Sequence, residues 1–163
     1  MASTYTPIAN SVVSGSSTSV ITFSSIPQTY TDLILVEQAT GTAAAYSTMY
    51  FNADNAGTSY SQTYLAGTGT TVVSGRVSNA ATLSIDYISS GTTSNAHIYQ
   101  FQSYSNTSVF KTFIQRYNLT NDVATVRIAL WRSTAAITTI TLTRASGTYT
   151  AGSVYSLYGI KAA

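Results

Sequence analysis

The chain holds one histidine, His97, and five carboxylates, Asp32, Glu37, Asp54, Asp86 and Asp122. A Ser-His-Asp relay needs an imidazole held between a nucleophile and a carboxylate. Serine is abundant, yet no G-x-S-x-G elbow or other nucleophile context is present. Glycoside hydrolysis needs two carboxylates roughly 5–10 Å apart around a cleft. Asp32 and Glu37 fall an odd number of positions apart on one expected strand, so they point to opposite sides. No other pair follows from spacing, and a hydrolase reading would rest on Asp54 or Asp86. Zinc takes three or four Cys, His or carboxylate ligands. With no cysteine and a single histidine, only three copies of His97 around a threefold axis would supply an imidazole cluster. The expectation is therefore a non-enzyme with no catalytic residue, no metal site and no cofactor, in which His97 is an ordinary strand histidine.

Two further motifs are weak. The DNAG turn at Asp54–Gly57 offers oxygens but lacks the repeated acidic pattern of a calcium loop. The GTGTT run after Tyr64-Leu65-Ala66 lacks the lysine and following helix of a phosphate cradle. More informative is the excess of tyrosine, thirteen against five Phe and one Trp. Tyrosine joins a large apolar face to a hydroxyl that needs a partner when buried. Either the rings fill half-buried positions between subunits, which is the preferred reading, or they form a sugar-binding surface.

These residues must be carried on strands. Short runs rich in Val, Ile, Thr, Tyr and Phe alternate with period two and are separated by Gly, Ser, Asn and Asp. The candidates are Val20–Phe23, Asp32–Ala39, Ser47–Asn52, Tyr60–Leu65, Ala81–Ile88, His97–Tyr104, Val109–Tyr117, Val123–Trp131, Ile137–Arg144 and Val154–Ile160. About ten short strands without helical crossovers predict an all-β fold, an antiparallel, jelly-roll-like β-sandwich. In the run ending at Trp131, Ala124, Val126, Ile128 and Leu130 share one side, expected to face the core, and Thr125, Arg127, Ala129 and Trp131 share the other. In Val109–Tyr117 neither side is clean. Residues 1–19 are Ser/Thr-rich and weakly patterned, so they read as an N-terminal arm or leader before a single sandwich domain over 20–163.

Charge narrows the partners. The 163 residues carry a formal net charge of +2, and charged residues make up 7% of the chain, while Ser and Thr supply about a third. The basic residues Arg76, Lys111, Arg116, Arg127, Arg132, Arg144 and Lys161 are scattered, with no tract to neutralise a run of phosphates, so nucleic acid is not an expected partner. No window approaches ~18 consecutive apolar residues, and no basic and then apolar leader opens the chain, so neither a membrane nor a secretory route is expected. The absence of cysteine fits synthesis and folding in a cytoplasm, without disulfides.

Several strings, in order, resemble small structural proteins of tailed bacteriophages. They are YTPIA, FSSIPQTYTDLILV at Phe23–Val36, MYFNAD at Met49–Asp54, YSQTYLAGTG at Tyr60–Gly69, ALWRSTAAI at Ala129–Ile137 and AGSVYSLYGIKAA at Ala151–Ala163. The resemblance implies a virion component on the outer capsid surface or the tail, and brings no catalytic motif. The chain's short length favours a capsid-decoration or cement protein, a homotrimer bound across major capsid protein subunits. The expected contact residues are Tyr5, Pro7, Tyr117, Arg127, Trp131, Arg132 and Tyr158. The alternative is a tail-associated, receptor-binding adhesin recognising host surface glycans through tyrosine and asparagine-rich loops.

Overall fold

The computed structural model of the chain describes residues 4–93, 95–119 and 123–161, with side chains for all of them except Asp86. No helix occurs among the described residues. Twelve strands do: β1 (Tyr5–Val12), β2 (Val20–Phe23), β3 (Asp32–Ala39), β4 (Ala45–Phe51), β5 (Tyr60–Gly67), β6 (Val72–Ala80), β7 (Leu83–Ile88), β8 (Asn95–Gln102), β9 (Lys111–Leu119), β10 (Val123–Trp131), β11 (Ile140–Arg144) and β12 (Val154–Ile160). An eight-stranded sheet runs β1-β12-β3-β8-β9-β10-β5-β6 and a four-stranded sheet runs β2-β11-β4-β7. Each pairing between neighbours is antiparallel.

The order follows from how the chain's two halves pair. β1 pairs with β12, β2 with β11, β3 with β8 and β4 with β7, so the outermost strands in sequence meet each other and the innermost do likewise. Successive members of this ribbon alternate between the sheets, which places one apolar flank of each strand inside the sandwich. The hairpins β5–β6 and β9–β10 leave the ribbon and join the larger sheet beyond β8. The smaller sheet ends at β7, which lies against β9 and β5. The far end of the larger sheet therefore overhangs the smaller one.

The core sits where the two sheets overlap. Leu33, Leu35, Tyr99, Phe101, Phe113, Tyr155 and Leu157 from the larger sheet face Ile21, Phe23, Met49, Phe51, Leu83, Ile85, Ile140 and Leu142 from the smaller, all buried. Phe51 is its hub, with ring centroids of Trp131 at 5.4 Å, Phe101 at 5.8 Å and Phe113 at 6.0 Å. Such aromatic pairs contribute about 0.5–1.5 kcal/mol each beyond the area they bury.

Three expectations need correction. Tyr5–Val12 is no arm or leader: it is the edge strand β1, registered on β12 from Tyr5↔Ile160 to Val12↔Val154. Its weak pattern is that of an edge, where Pro7 is tolerated because a missing N–H need not face a partner, and the register shifts between Pro7 and Ala9. Secondly, β10 is turned over relative to the expectation. Thr125, Arg127, Ala129 and Trp131 face inward, whereas Val126 and Ile128 are 41% and 57% exposed. The large indole sets the side: Trp131 packs on Phe51 and stacks on Tyr60 at 6.4 Å. Thirdly, β6 was not anticipated, since VVSGRVSNA carries polar residues and a glycine on a largely exposed edge.

Candidate functional site

Across the inner face of the larger sheet, register aligns Leu157, Leu35, Tyr99, Gln115, Arg127, Tyr64 and Gly75 in one row. The row is apolar where the smaller sheet covers it and polar where it overhangs. A second row carries Tyr155, Glu37, His97, Tyr117, Thr125 and Ala66, with Glu37 and His97 fully buried under the smaller sheet. Under the overhang, between it and the edge of β7, lies a cleft of about 560 Å³. Its walls include Tyr64 and Tyr117 from the larger sheet, and Tyr46 and Tyr87 from the smaller.

Arg127, 4% exposed, is held at the cleft floor. Its guanidinium donates to the Ser84 carbonyl of β7 and lies 5.7 Å from the Tyr64 ring centroid and 6.0 Å from that of Tyr117. Tyr117 in turn stacks on His97 at 5.1 Å. Tyr64 lies over Gly75, where a Cβ would stand 2.5 Å from its hydroxyl oxygen, so the ring keeps this seat only over a glycine. Tyr46 and Tyr87 meet edge to face at 5.2 Å.

Two groups in this cleft are underused. Gln62 Oε1 and Thr125 Oγ1 are buried without a protein hydrogen bond, in residues only 5% and 6% exposed. Each such buried acceptor costs about 1–3 kcal/mol when nothing donates to it. Among residues with described side chains no carboxylate lines the cleft, and no group of three His, Cys, Asp or Glu could hold a metal.

Asp32, Glu37, Asp54 and His97 are engaged within the fold. Asp54 Oδ2 accepts the Trp131 indole N–H at 2.7 Å, and Asp32 Oδ1 accepts the Ser103 N–H at 2.8 Å. Glu37 is fully buried and accepts the Tyr99 hydroxyl at 2.7 Å. His97 sits opposite Glu37 in the register and is fully buried between the Tyr99 and Tyr117 rings, where copies of it could not meet on an axis. The side chain of Asp86, which with Asp54 would carry a hydrolase reading, and all of Asp122 lie outside the described residues.

The outer face of the larger sheet is a second feature. Its register lines up Val36, Ile98, Arg116, Val126 and Leu65, with Ile114 and Ile128 in the next row. Val36, Ile98, Val126, Leu65, Ile128 and the adjoining Val72 are all exposed.

The expected contact residues scatter. Tyr5, Pro7 and Tyr158 gather at the β1–β12 edge, with Tyr5 and Tyr158 rings 6.5 Å apart and Pro7 registered on Tyr158. Tyr117 and Arg127 line the cleft. Trp131 is core, and so not a surface contact. Arg132 is a clamp: it donates to Ser61 Oγ at 2.6 Å, to Asn79 Oδ1 at 2.9 Å and to the Thr58 carbonyl, tying β10 to the hairpin beside it. Tyr46, Gln62, Tyr64, Tyr87 and Thr125 carry no local signal, because their meeting depends on β10 pairing with β5 in one sheet and β4 with β7 in the other. No family model matches the chain, and the comparisons with curated proteins and with solved structures likewise return no match.

Proposed function

We propose that the chain is a non-enzymatic structural protein of a bacteriophage virion, a capsid-decoration protein made in the host cytoplasm that binds across joints between major capsid protein subunits. The observation that carries this reading is the outer face of the larger sheet. Val36, Ile98, Val126, Leu65, Ile128 and Val72 expose apolar surface on one flat side, relieved by Arg116 and by Arg76 on the edge strand. Contiguous apolar surface of this kind marks a protein contact more often than a solvated face. A charge-poor surface also docks without desolvating many ions. The ordered strings resembling tailed-phage structural proteins support a place in the virion, on the capsid or the tail, and of these we take the shell as the partner and a homotrimer as the bound form. The strand interleave is one we read as a jelly roll with two inserted hairpins, an architecture suited to rigid, repeated packing.

The test is co-sedimentation of the purified protein with shells that lack it. Val126→Asp with Ile128→Asp should leave the fold intact, since both side chains point outward, and weaken shell binding by about tenfold or more. Undiminished binding by that variant, or no binding by the unaltered protein, would overturn the proposal.

A further inference from the structure

The cleft under the overhang lies on the opposite side of the larger sheet from the proposed docking face, and it is of a different character. We propose that it is a binding site for an uncharged saccharide, two or three rings long. This goes beyond the shell-binding role and does not depend on it.

The argument rests on what the cleft contains. A volume of about 560 Å³ falls within the range of small-ligand sites and suits an oligosaccharide segment. Tyrosines approach from both sheets, Tyr46 and Tyr87 on one wall and Tyr64 and Tyr117 on the other, and Tyr46 is 54% exposed. Rings of this type offer an apolar face to the C–H side of a sugar and a hydroxyl to its polar rim. Gln62 and Thr125 are on the lining, and their Oε1 and Oγ1 have no protein partner, which leaves hydrogen-bonding capacity that a ligand hydroxyl can meet. A polyol brings several at close spacing. The single described cation on the lining, Arg127, already donates to the Ser84 carbonyl and lies against two rings, so it is poorly placed to select an anion. The chemistry is therefore that of a neutral, hydroxyl-rich ligand rather than a phosphate, a fatty chain or an acidic peptide.

The test is amide-resolved NMR of the full chain titrated with maltotriose, cellotriose, mannotriose and chitotriose. At least one should bind with Kd on the order of 1 mM, as expected of a shallow sugar site. Its shifts should centre on β5, β9, β10 and the Tyr46–Tyr87 pair. Tyr46→Ala removes an exposed ring and should weaken that binding about tenfold, with its amide spectrum otherwise preserved. Gly75→Ala, which drives the Tyr64 ring off its seat, should weaken it independently. No shifts with any of the four sugars would overturn the proposal, as would shifts on the outer face or affinity unchanged in both variants. Val126→Asp with Ile128→Asp should bind the sugar normally, so failure here and failure of shell docking are separately visible.

Discussion

Asn52 offers the sharpest test of how the sandwich is closed at its turn end. It follows β4 with φ +50°, in the left-handed region. From there its side chain reaches the connection between β10 and β11. Nδ2 donates to the Ala136 carbonyl at 2.7 Å, while Oδ1 accepts the Thr138 N–H at 2.9 Å, the Thr139 N–H at 3.0 Å and the Thr138 hydroxyl at 3.1 Å. Asn52→Gly keeps the backbone geometry and removes these bonds. At about 1 kcal/mol net each, and with water replacing part of the loss at the exposed Thr138, the cost is about 2–3 kcal/mol. Asn52→Ala adds the penalty of a Cβ in the left-handed region, about 1 kcal/mol more. Asn52→Asp retains an acceptor and loses only the donor, for about 1–2 kcal/mol. Urea unfolding followed by Trp131 fluorescence reads the series, with the midpoint falling in the order Asn, Asp, Gly, Ala at a constant slope. Glycine as costly as alanine would show that conformation contributes nothing. Glycine equal to asparagine would show that the side-chain staple contributes nothing.

Other consequences are as direct. Deleting residues 1–12 strips β1 from β12, and thermal unfolding should show a large loss of stability rather than the silent truncation expected of a loose arm. Burial lowers the pKa of Lys111, whose ammonium donates to the Val109 and Thr134 carbonyls. Between that depressed value and 10.5 the unfolded chain binds more protons than the folded one, so Lys111 makes stability rise with pH across this window. Burial raises the phenols of Tyr60 and Tyr104, whose contribution is complete below pH 10 and is lost as pH climbs from there through their folded values. Urea midpoints measured against pH should therefore pass through a maximum on the alkaline side. Lys111→Met should flatten the rise and Tyr104→Phe the fall.

The elements were legible because period-two alternation is a local property. The strands Asp32–Ala39 and Val123–Trp131 are where the pattern placed them. Which flank points inward was not legible for β10, since Val126 and Ile128 are as apolar as Ala129 and Trp131 and only the neighbour across the sandwich decides. The tyrosine excess was visible, but its use was not. Tyr60, Tyr99, Tyr104 and Tyr149 are buried with their hydroxyls bonded inside the chain, to Asp54, Glu37, Pro27 and Ser47. Neither a subunit contact nor a sugar surface accounts for those four. The cleft was out of reach altogether, because the meeting of Tyr46, Tyr64, Tyr87 and Tyr117 is a product of strand order, and strand order comes from long-range pairing that no local run encodes.

Both candidate surfaces have one structural origin, the mismatch between a sheet of eight strands and a sheet of four. A sandwich of equal sheets would bury both inner faces against each other. Here Trp131 and Tyr60, at one end of β10 and β5, pack on Phe51 of the smaller sheet, but the other end of these two strands, around Thr125 and Tyr64, and β6 beyond them run past its edge. The sequence answers with polar and amphipathic residues at those inward positions, Gln62, Tyr64, Thr125 and Arg127, where the covered strands carry Leu35 and Phe101. Shifting the polar residues inward moves the apolar ones outward on the same strands, because alternate side chains take opposite faces. The exposed Val126, Ile128 and Leu65 are therefore the necessary complement of the polar cleft floor. It follows that Thr125→Val with Gln62→Leu should remove buried unpaired acceptors, raise the urea midpoint, and abolish saccharide binding while leaving the outer face and its docking untouched. A fall in stability on that double change would mean that the two groups are already satisfied, and would sever the link between cleft and ligand.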